Sequence, residues 1–356
     1  MNSSLQNESA RAKRVGGAAG ELPFVSVIMP VFNEERFIAQ SLSAVLKQDY
    51  PPDKFEIIIA DGFSTDQTRE IVISIQRDHP QVRLIHNPGR IVSCGLNQAL
   101  GCAQGEVIVR LDGHCEYPND YVRRVLELRQ RTGAANAGGV LVPMGTSLVQ
   151  QAVARAYYSP VGLGGSALKG SLGQVEIIHD VDAVHGGCWE RERLLAVGGF
   201  DETMVRNQDD ELSFRLRKAS GRVVQSNSIR VKYHVRDSFR KLLLQFAQYG
   251  YWKVRVVRKH PRQANVRHFI PALFVLLLVI AAVAAPFSQA ARWTSSGLLG
   301  GYLFAIMSAS LIQLRGIRTK LWPGVVAALA MMHFGYGVGF LLGWVPALAI
   351  FKRTSR

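Results

Sequence analysis

The chain has 356 residues, 42 of them lysine or arginine against 27 aspartates and glutamates, for a formal net charge of +15. Its four cysteines (Cys94, Cys102, Cys115 and Cys188) lie far apart, without the close pairs of a zinc site, and read as packing residues of a reducing compartment. The positive excess implies an anionic partner, and the absence of any nucleic-acid motif narrows that partner to membrane lipid or a phosphorylated small molecule.

Residues 1–23 form a basic tail rich in Asn, Ser, Arg, Lys and Gly, expected to be disordered. The tail has no apolar core, so a cleaved signal peptide is not expected and the domain after it is expected to stay in the cytoplasm. Phe24 to Val31 is a first strand, followed by Phe32, Asn33, Glu34 and Glu35 at the mouth of a helix. That helix runs to about Gln48, with Phe37, Leu42, Ala44, Val45 and Leu46 inward. Phe55 to Ala60 is a second strand, ending in Asp61, Gly62, Phe63, Ser64, Thr65 and Asp66, where Ser64 or Thr65 can cap the next helix. Val82 to His86 is a third, leading through Asn87, Pro88, Gly89 and Arg90 into a helix that carries Asn97. Val107 to Leu111 is a fourth, stopping at Asp112, Gly113 and His114. Strands alternating with helices at this spacing predict an α/β fold with a mostly parallel sheet.

Three of these strands end in N-E, D-G-x-S-x-D and D-G-H, and the connection after the third carries Arg90. In an open α/β sheet the ligand crevice lies beyond the carboxyl ends of the strands, so acid, amide and cation meet there in the outline of a nucleotide-diphosphate site. Asp112 offers a hard oxygen and His114 a neutral nitrogen, a pair suited to Mg²⁺ or Mn²⁺, although Asp-Gly is also an ordinary turn signal. No G-x-G-x-x-G follows the first strand and no P-loop motif occurs, which argues against a dinucleotide dehydrogenase and a P-loop NTPase.

Beyond Tyr121 the pattern is less regular. Gly138 to Pro143 reads as a strand, Ser159 to Gly173 as a mobile Gly/Ser-rich loop, and Asp180 to Trp189 as a strand running into a glycine turn. Arg206 to Leu212 opens a helix continuing through Lys218, whose first-turn acids complement the helix macrodipole. Residues 237–268 hold an amphipathic helix, Ser238 to Lys259, expected to lie in the headgroup plane with its basic residues on anionic lipid. Residues 269–351 contain three uncharged runs, Phe269 to Ala291, Trp293 to Leu314 and Leu321 to Phe351, each longer than the roughly 18 residues that mark a membrane span. The bias of Lys and Arg puts the large domain on the cytoplasmic side. The third run is too long for one span and too short for two, so a re-entrant hairpin broken near Gly335, Gly337 and Gly339 is expected before the basic tail 352–356.

In order and at this spacing, V-S-V-I-M-P-V-F-N-E (Val25 to Glu34), A-D-G-F-S-T-D (Ala60 to Asp66), R-L-D-G-H (Arg110 to His114) and N-Q-D-D-E-L (Asn207 to Leu212) resemble the family 2 glycosyltransferases of the GT-A fold. The chain is similar, over nearly its whole length, to membrane-bound enzymes of the succinoglycan type that build bacterial exopolysaccharide repeats on a lipid carrier. That resemblance implies a GT-A domain over residues 24–236, a bacterial inner-membrane location, and possible partners among other polysaccharide-assembly proteins. It implies a nucleotide-sugar donor, UDP-linked by preference, and a polyprenyl-linked glycan acceptor. Pro30, Phe32, Asn33 and Glu34 would line the nucleoside pocket, and Asp61 would accept from the uracil ring nitrogen. Asp66, Arg90, Gln208 and Asp210 join the candidate substrate-binding set, with Arg90 near the diphosphate or simply on the surface. Asp112 and His114 would hold Mg²⁺ or Mn²⁺ at the D-x-D position, and Asp209 would be the general base. A single displacement with one base inverts the anomeric centre.

Three departures from the family pattern stand out. His114 replaces the second aspartate, Gln208 replaces the glutamate before the base, and the following helix reads Q-F-A-Q-Y-G-Y-W in place of Q-x-x-R-W, so processive polymerisation is not expected. The alternatives are a polyprenyl-phosphate glycosyltransferase or a non-catalytic membrane scaffold or transporter.

Overall fold

The computed structural model describes residues 21–113, 115–162, 175–313, 319–345 and 351. Its first half follows the alternation of the sequence: β1 (Val25–Val31), α1 (Ile38–Leu46), β2 (Phe55–Asp61), α2 (Thr68–Asp78), β3 (Val82–His86), α3 (Val92–Cys102) and β4 (Val107–Arg110). β2 and β4 are buried throughout and β1 nearly so, which is why they read as almost unbroken apolar runs. Phe37, expected inside, is exposed, because α1 begins one residue after it.

The second half comprises β5 (Cys115–Glu116), α4 (Tyr121–Thr132), β6 (Asn136–Met144), α5 (Leu148–Tyr158), β7 (Ile178–Asp180), β8 (Gly187–Glu190), α6 (Arg191–Ala196), α7 (Gln208–Lys218) and β9 (Val223–His234). The strand expected before the Gly186–Gly187 turn starts within it instead: Gly187 takes φ +135° and opens β8. The 12-residue β9 escaped the sequence reading because its buried half is polar. Gln225 there donates to Gly139 O at 3.0 Å and Asn227 to Val175 O at 3.1 Å, so these residues satisfy buried backbone groups without apolar alternation.

The sheet order is β3-β2-β1-β4-β8-β6-β9-β5, with β7 also beside β9. β3, β2, β1 and β4 are parallel, and β8 is antiparallel to both β4 and β6. The chain reverses its direction of growth between β1 and β4, so the crevice opens there. β1 pairs with β2 as far as Val31↔Asp61 but with β4 only to Ile28↔Arg110. Pro30 fits this geometry: the carbonyl of Ile28 bonds Leu111 N–H on the β4 side at 3.1 Å, and the N–H that Pro30 lacks would point to that side after β4 has ended.

Four long helices complete the chain: α8 (Phe239–Lys259), α9 (Val266–Ala284), α10 (Gln289–Gln313) and α11 (Trp322–Gly343). Three of them, Val266–Ala284, Gln289–Ile312 and Trp322–Gly343, are long and apolar enough to cross a membrane. Two expectations are corrected here. The apolar face of α8 does not wait for lipid: Leu242, Phe246, Tyr251, Trp252, Val254 and Val256 are buried against protein. Leu242 and Phe246 join the same apolar core as β1 and β9, together with Val325, Leu329 and Met332 of α11, so the boundaries drawn at 236 and 268 do not separate two cores. The expected hairpin break is also absent, since α11 runs unbroken through Gly335, Gly337 and Gly339. Those glycines let backbones approach. A Cβ on Gly335 would stand 2.6 Å from Leu243 O, one on Gly343 2.8 Å from Tyr251 O, and one on Gly339 would strike Ala247 O. The expected terminal tails (all but residues 21–23 of the first), His114 and most of the 159–173 loop lie outside the described residues.

Candidate active site

The loops after β1 and β2 are laced together. Asn33, at φ +52°, donates its N–H to Ser64 Oγ at 2.9 Å and accepts from Thr65 N at 2.8 Å through Oδ1. Glu34 N–H donates to Thr68 Oγ1 at 2.7 Å. Asp66 accepts from Glu35 N at 3.2 Å, Thr68 N at 3.0 Å and Thr68 Oγ1 at 2.6 Å. Burial works to raise its carboxyl, but these bonds hold it below the ordinary value. Asp66, and not Ser64 or Thr65, therefore fixes the start of α2, and its role here is to join the loops.

Asp61 is fully buried at the end of β2, where it accepts from Ser64 Oγ at 2.5 Å and Arg69 Nη1 at 2.8 Å. Pro30 and Phe32 are half-buried beside it on the crevice wall. Phe63, at φ +65°, presents an exposed ring, and the Arg90 guanidinium lies 5.0 Å from its centroid. Arg90 is itself exposed at φ +58°. Non-glycine residues in this conformation are uncommon, and the clustering of Asn33, Phe63, Arg90 and Asn207 along one sheet edge marks strain held at a site.

The centre of the site is a cation that the sequence reading left without a role. Arg110, 3% exposed at the end of β4, donates from Nε to Asp112 Oδ1 at 3.0 Å and from Nη2 to Asp112 Oδ2 at 3.3 Å, while Nη1 bonds Asp209 Oδ1. One guanidinium thus joins two carboxylates 97 positions apart in sequence. His185, from the turn before β8, places Nε2 3.0 Å from Asp112 Oδ2. Burial opposes charge on that imidazole, but the Asp112 carboxylate more than offsets it and raises His185 well above the ordinary histidine range. Burial also raises the Asp209 carboxyl, an effect that Arg110 and His185 only partly reverse. A half-buried carboxylate raised in this way, with access to solvent, suits a general base.

For a divalent metal, the described residues offer Asp112 as an oxygen donor, with the His185 nitrogen beside it, but no convergent group of three or more acidic, histidine or cysteine side chains. Such a sparse set fits Mg²⁺ or Mn²⁺ held by one or two protein ligands plus substrate phosphates, rather than an all-protein cage.

The first turn of α7 corrects the macrodipole reading. Each acid has its own cation: Asp209 has Arg110, Asp210 has Lys253 of α8, and Glu211 has Arg215 (2.7 Å), His260 (2.9 Å) and Lys259 (3.0 Å). Burial alone would raise Glu211, yet Arg215 and His260 hold it below the ordinary value. The α7 entrance is also bound to α8, through Arg206 Nε to Gln248 Oε1 at 3.1 Å and Asn207 Nδ2 to Tyr249 O at 3.1 Å. Gln208 is buried at the first helical position. Gln245, the first residue of the altered Q-x-x-R-W region, donates to Tyr233 OH at 3.0 Å and Tyr249 OH at 2.9 Å, an internal role.

Residues 26–189 match glycosyl transferase family 2. Over 332 residues the chain is 30% identical to the succinoglycan biosynthesis protein ExoA of Rhizobium meliloti, covering 92% of this chain and 96% of that one. Over 343 residues it is 25% identical to the dolichyl N-acetyl-alpha-D-glucosaminyl phosphate 3-beta-D-2,3-diacetamido-2,3-dideoxy-beta-D-glucuronosyltransferase of Methanococcus voltae, covering 92% and 99%. In fold it is similar to the mannosyltransferase PcManGT of Pyrobaculum calidifontis, solved with GDP-Man and Mn²⁺, at TM-score 0.57, 20% identity and coverage of 93% and 94%.

Proposed function

Because the chain belongs to glycosyl transferase family 2, with a GT-A-type fold, we propose that it transfers a hexose from a nucleotide diphosphate, UDP by preference, to a lipid-linked saccharide with inversion. The observation that carries this reading is the buried Arg110 that holds Asp112 and Asp209 together. It sets the carboxylate facing the leaving diphosphate and the carboxylate facing the incoming hydroxyl in one fixed geometry.

In this mechanism Pro30 and Phe32 lie against the nucleoside, and Asp61, fully buried under Ser64 and Arg69 in the ligand-free fold, accepts from the nucleobase ring nitrogen once one of those side chains moves aside. Asp112 would hold Mg²⁺ or Mn²⁺, with His114, or His185 after loss of its proton, as the neighbouring nitrogen. When bound, that ion neutralises charge on the departing diphosphate as a Lewis acid. Asp209 takes the proton from the acceptor hydroxyl as it attacks, and Arg110 keeps its bond to Asp112 as the Asp209 charge is lost. All three acids are ion-paired, Asp210 to Lys253 and Glu211 to Arg215, His260 and Lys259, but Asp209 shares its cation with Asp112 and so stands beside the leaving group; with Asp209 as the one base, the reaction is a single displacement and not a covalent intermediate.

The Methanococcus voltae relative, named for addition of a sugar to a dolichyl-phosphate-linked sugar, favours extension of a lipid-linked saccharide over transfer to a bare lipid phosphate. The succinoglycan relative supports a role in bacterial surface polysaccharide, and the bias of Lys and Arg supports placing the reaction at the cytoplasmic face of the inner membrane. The test is to incubate membranes containing the chain with a panel of radiolabelled nucleotide sugars and extract the lipid phase. One UDP-hexose should label a lipid-linked product, and EDTA should abolish the signal. Labelling undiminished by EDTA refutes the metal, and label in bare polyprenyl phosphate refutes the acceptor.

A further inference from the structure

The three long apolar helices are of two kinds. On α9 and α10 large side chains face outward, among them Leu276, Ile280 and Val283 on the first and Leu303, Phe304 and Ile312 on the second. On α11, Val338 alone among the described large apolar residues is exposed. The apolar windows are 17% and 11% buried for α9 and α10 but 44% for α11. The last helix has spent the surface that a lipid-facing span would present.

Its neighbours explain why. α11 lies beside α8 and runs in the same direction: Gly324 abuts Ala152 of α5 near Phe239, Gly335 abuts Leu243, Gly339 abuts Ala247, and Gly343 abuts Tyr251 and Val254. From Gly335 to Gly343 the seam against α8 extends about 12 Å at 1.5 Å per residue, with Gly324 continuing the contact onto α5. α8 cannot enter hydrocarbon. It carries Arg240, Lys241, Lys253, Arg255, Arg258 and Lys259, and it is fastened to the catalytic domain by Lys253–Asp210 and by Lys259–Asp201 at 2.8 Å. A helix that follows α8 for this distance stays at the depth of α8. His333, midway along α11, would sit near the centre of a bilayer if the helix crossed one. Its Nε2 lies 2.6 Å from Val161 O, in the turn after α5, and its Nδ1 lies 3.2 Å from Tyr302 OH of α10, so it joins the catalytic domain to the hairpin.

We infer that the chain crosses the membrane twice, through the α9–α10 hairpin, and that α11 is a floor helix seated between the catalytic domain and the lipid leaflet. The distribution of charge agrees. Basic residues precede α9 (Lys253 to Arg267), follow α10 (Arg315, Arg318, Lys320) and follow α11 (Lys352, Arg353, Arg356). With two crossings all of these fall on the side of the catalytic domain, and Arg292 alone in the hairpin turn falls opposite. Three crossings would send the last group across. This topology is independent of which sugar or acceptor is used.

The experiment is membrane-impermeant maleimide labelling of the full chain in intact cells and in inverted vesicles. Gln289→Cys reports the hairpin turn and Val345→Cys the residue just beyond α11, both in a Cys94→Ser, Cys102→Ser background. The native exposed Cys102 reports the side of the catalytic domain. Val345→Cys should react on the side where Cys102 reacts, and Gln289→Cys on the opposite side. Reaction of Val345→Cys and Gln289→Cys on one shared side overturns the inference, as does reaction of all three on the same side. A reporter fused after Phe351, fluorescent only in the cytoplasm, gives the same decision where a cysteine fails to react. Fluorescence is expected, and its loss with an intact, inserted chain means that α11 crosses.

Discussion

Asp209 and Asp210 are adjacent acids on one helical turn, and the structure predicts opposite consequences for their conversion to asparagine. Burial raises the Asp209 carboxyl, so the folded state disfavours its charge relative to the unfolded chain. By linkage, a carboxyl raised on folding subtracts from stability above its unfolded value, an effect absent at lower pH, so Asp209→Asn removes that cost at neutral pH. Its melting temperature should be unchanged or higher. Turnover should fall by roughly 10² to 10⁴, the usual contribution of a positioned base, or about 2.7 to 5.5 kcal/mol of barrier. Asp210 differs, because it is ion-paired to Lys253 with side chains only 20% and 11% exposed. Asparagine keeps an acceptor for the ammonium but loses the charge, at a cost of about 2 kcal/mol, within the range for a hydrogen bond to a charged group. At about 2.1 cal/mol/K per residue over 356 residues, that corresponds to a fall of roughly 3 °C. The assay pairs melting in chelator with transfer rate and donor affinity in Mn²⁺. An Asp209→Asn enzyme with near-normal turnover, or one that melts lower than Asp210→Asn, refutes the assignment of the base and its electrostatic origin together.

Two further outcomes follow from the same geometry. Arg110→Lys keeps the charge but cannot bond Asp112 and Asp209 at once, so kcat should fall roughly 10- to 100-fold, equivalent to about 1.5–3 kcal/mol, while donor affinity changes less; full kcat would mean that the bridge is incidental. Gly339→Leu drives a side chain into the Ala247 carbonyl and should destabilise the detergent-solubilised protein by about 1–3 kcal/mol or more, whereas Val338→Leu on the exposed side should melt as wild type. Equal melting of the two variants would remove the glycine seam from the account.

The parts of this molecule legible in its sequence are those fixed locally. Asp61, Asp112 and Asp209 each stand at the end of an element whose period and stop signal lie within a dozen residues. Their partners were not legible, because no local pattern connects Arg110 to position 209, His185 to 112 or Lys253 to 210. Arg110 did leave a trace, as an arginine inside an otherwise apolar strand that needed a buried counter-charge. Glu211 was given the generic explanation of a helix N-terminus and Asp210 a place in the substrate-binding set as well, since the cations that hold them come from later in the chain. The membrane side failed for a different reason. An amphipathic helix shows the same apolar stripe whether lipid or another helix covers it, and glycine at every fourth position is as compatible with a tight seam as with a break. In α8 and α11 the two ambiguities resolve each other: the stripe of one is covered by the glycines of the other.

That pairing also links the two halves of the protein. α8 grips the α7 entrance through Gln248, the Tyr249 carbonyl and Lys253, and holds Glu211 from its end through Lys259 and His260. On its other side α8 is closed against α11 by backbone-to-backbone contact that leaves no room for a Cβ at Gly335, Gly339 or Gly250. The turn that carries Asp209 is therefore positioned from the membrane side as well as from the sheet, whereas Asp61 and Asp112 are positioned by the sheet alone. A lipid-anchored acceptor arrives from the same side as α8 and α11, and a soluble donor from the open strand ends. In the proposed mechanism the base is held by the elements nearest the acceptor and the diphosphate carboxylate by those nearest the donor, and among the described residues Arg110 bonds both.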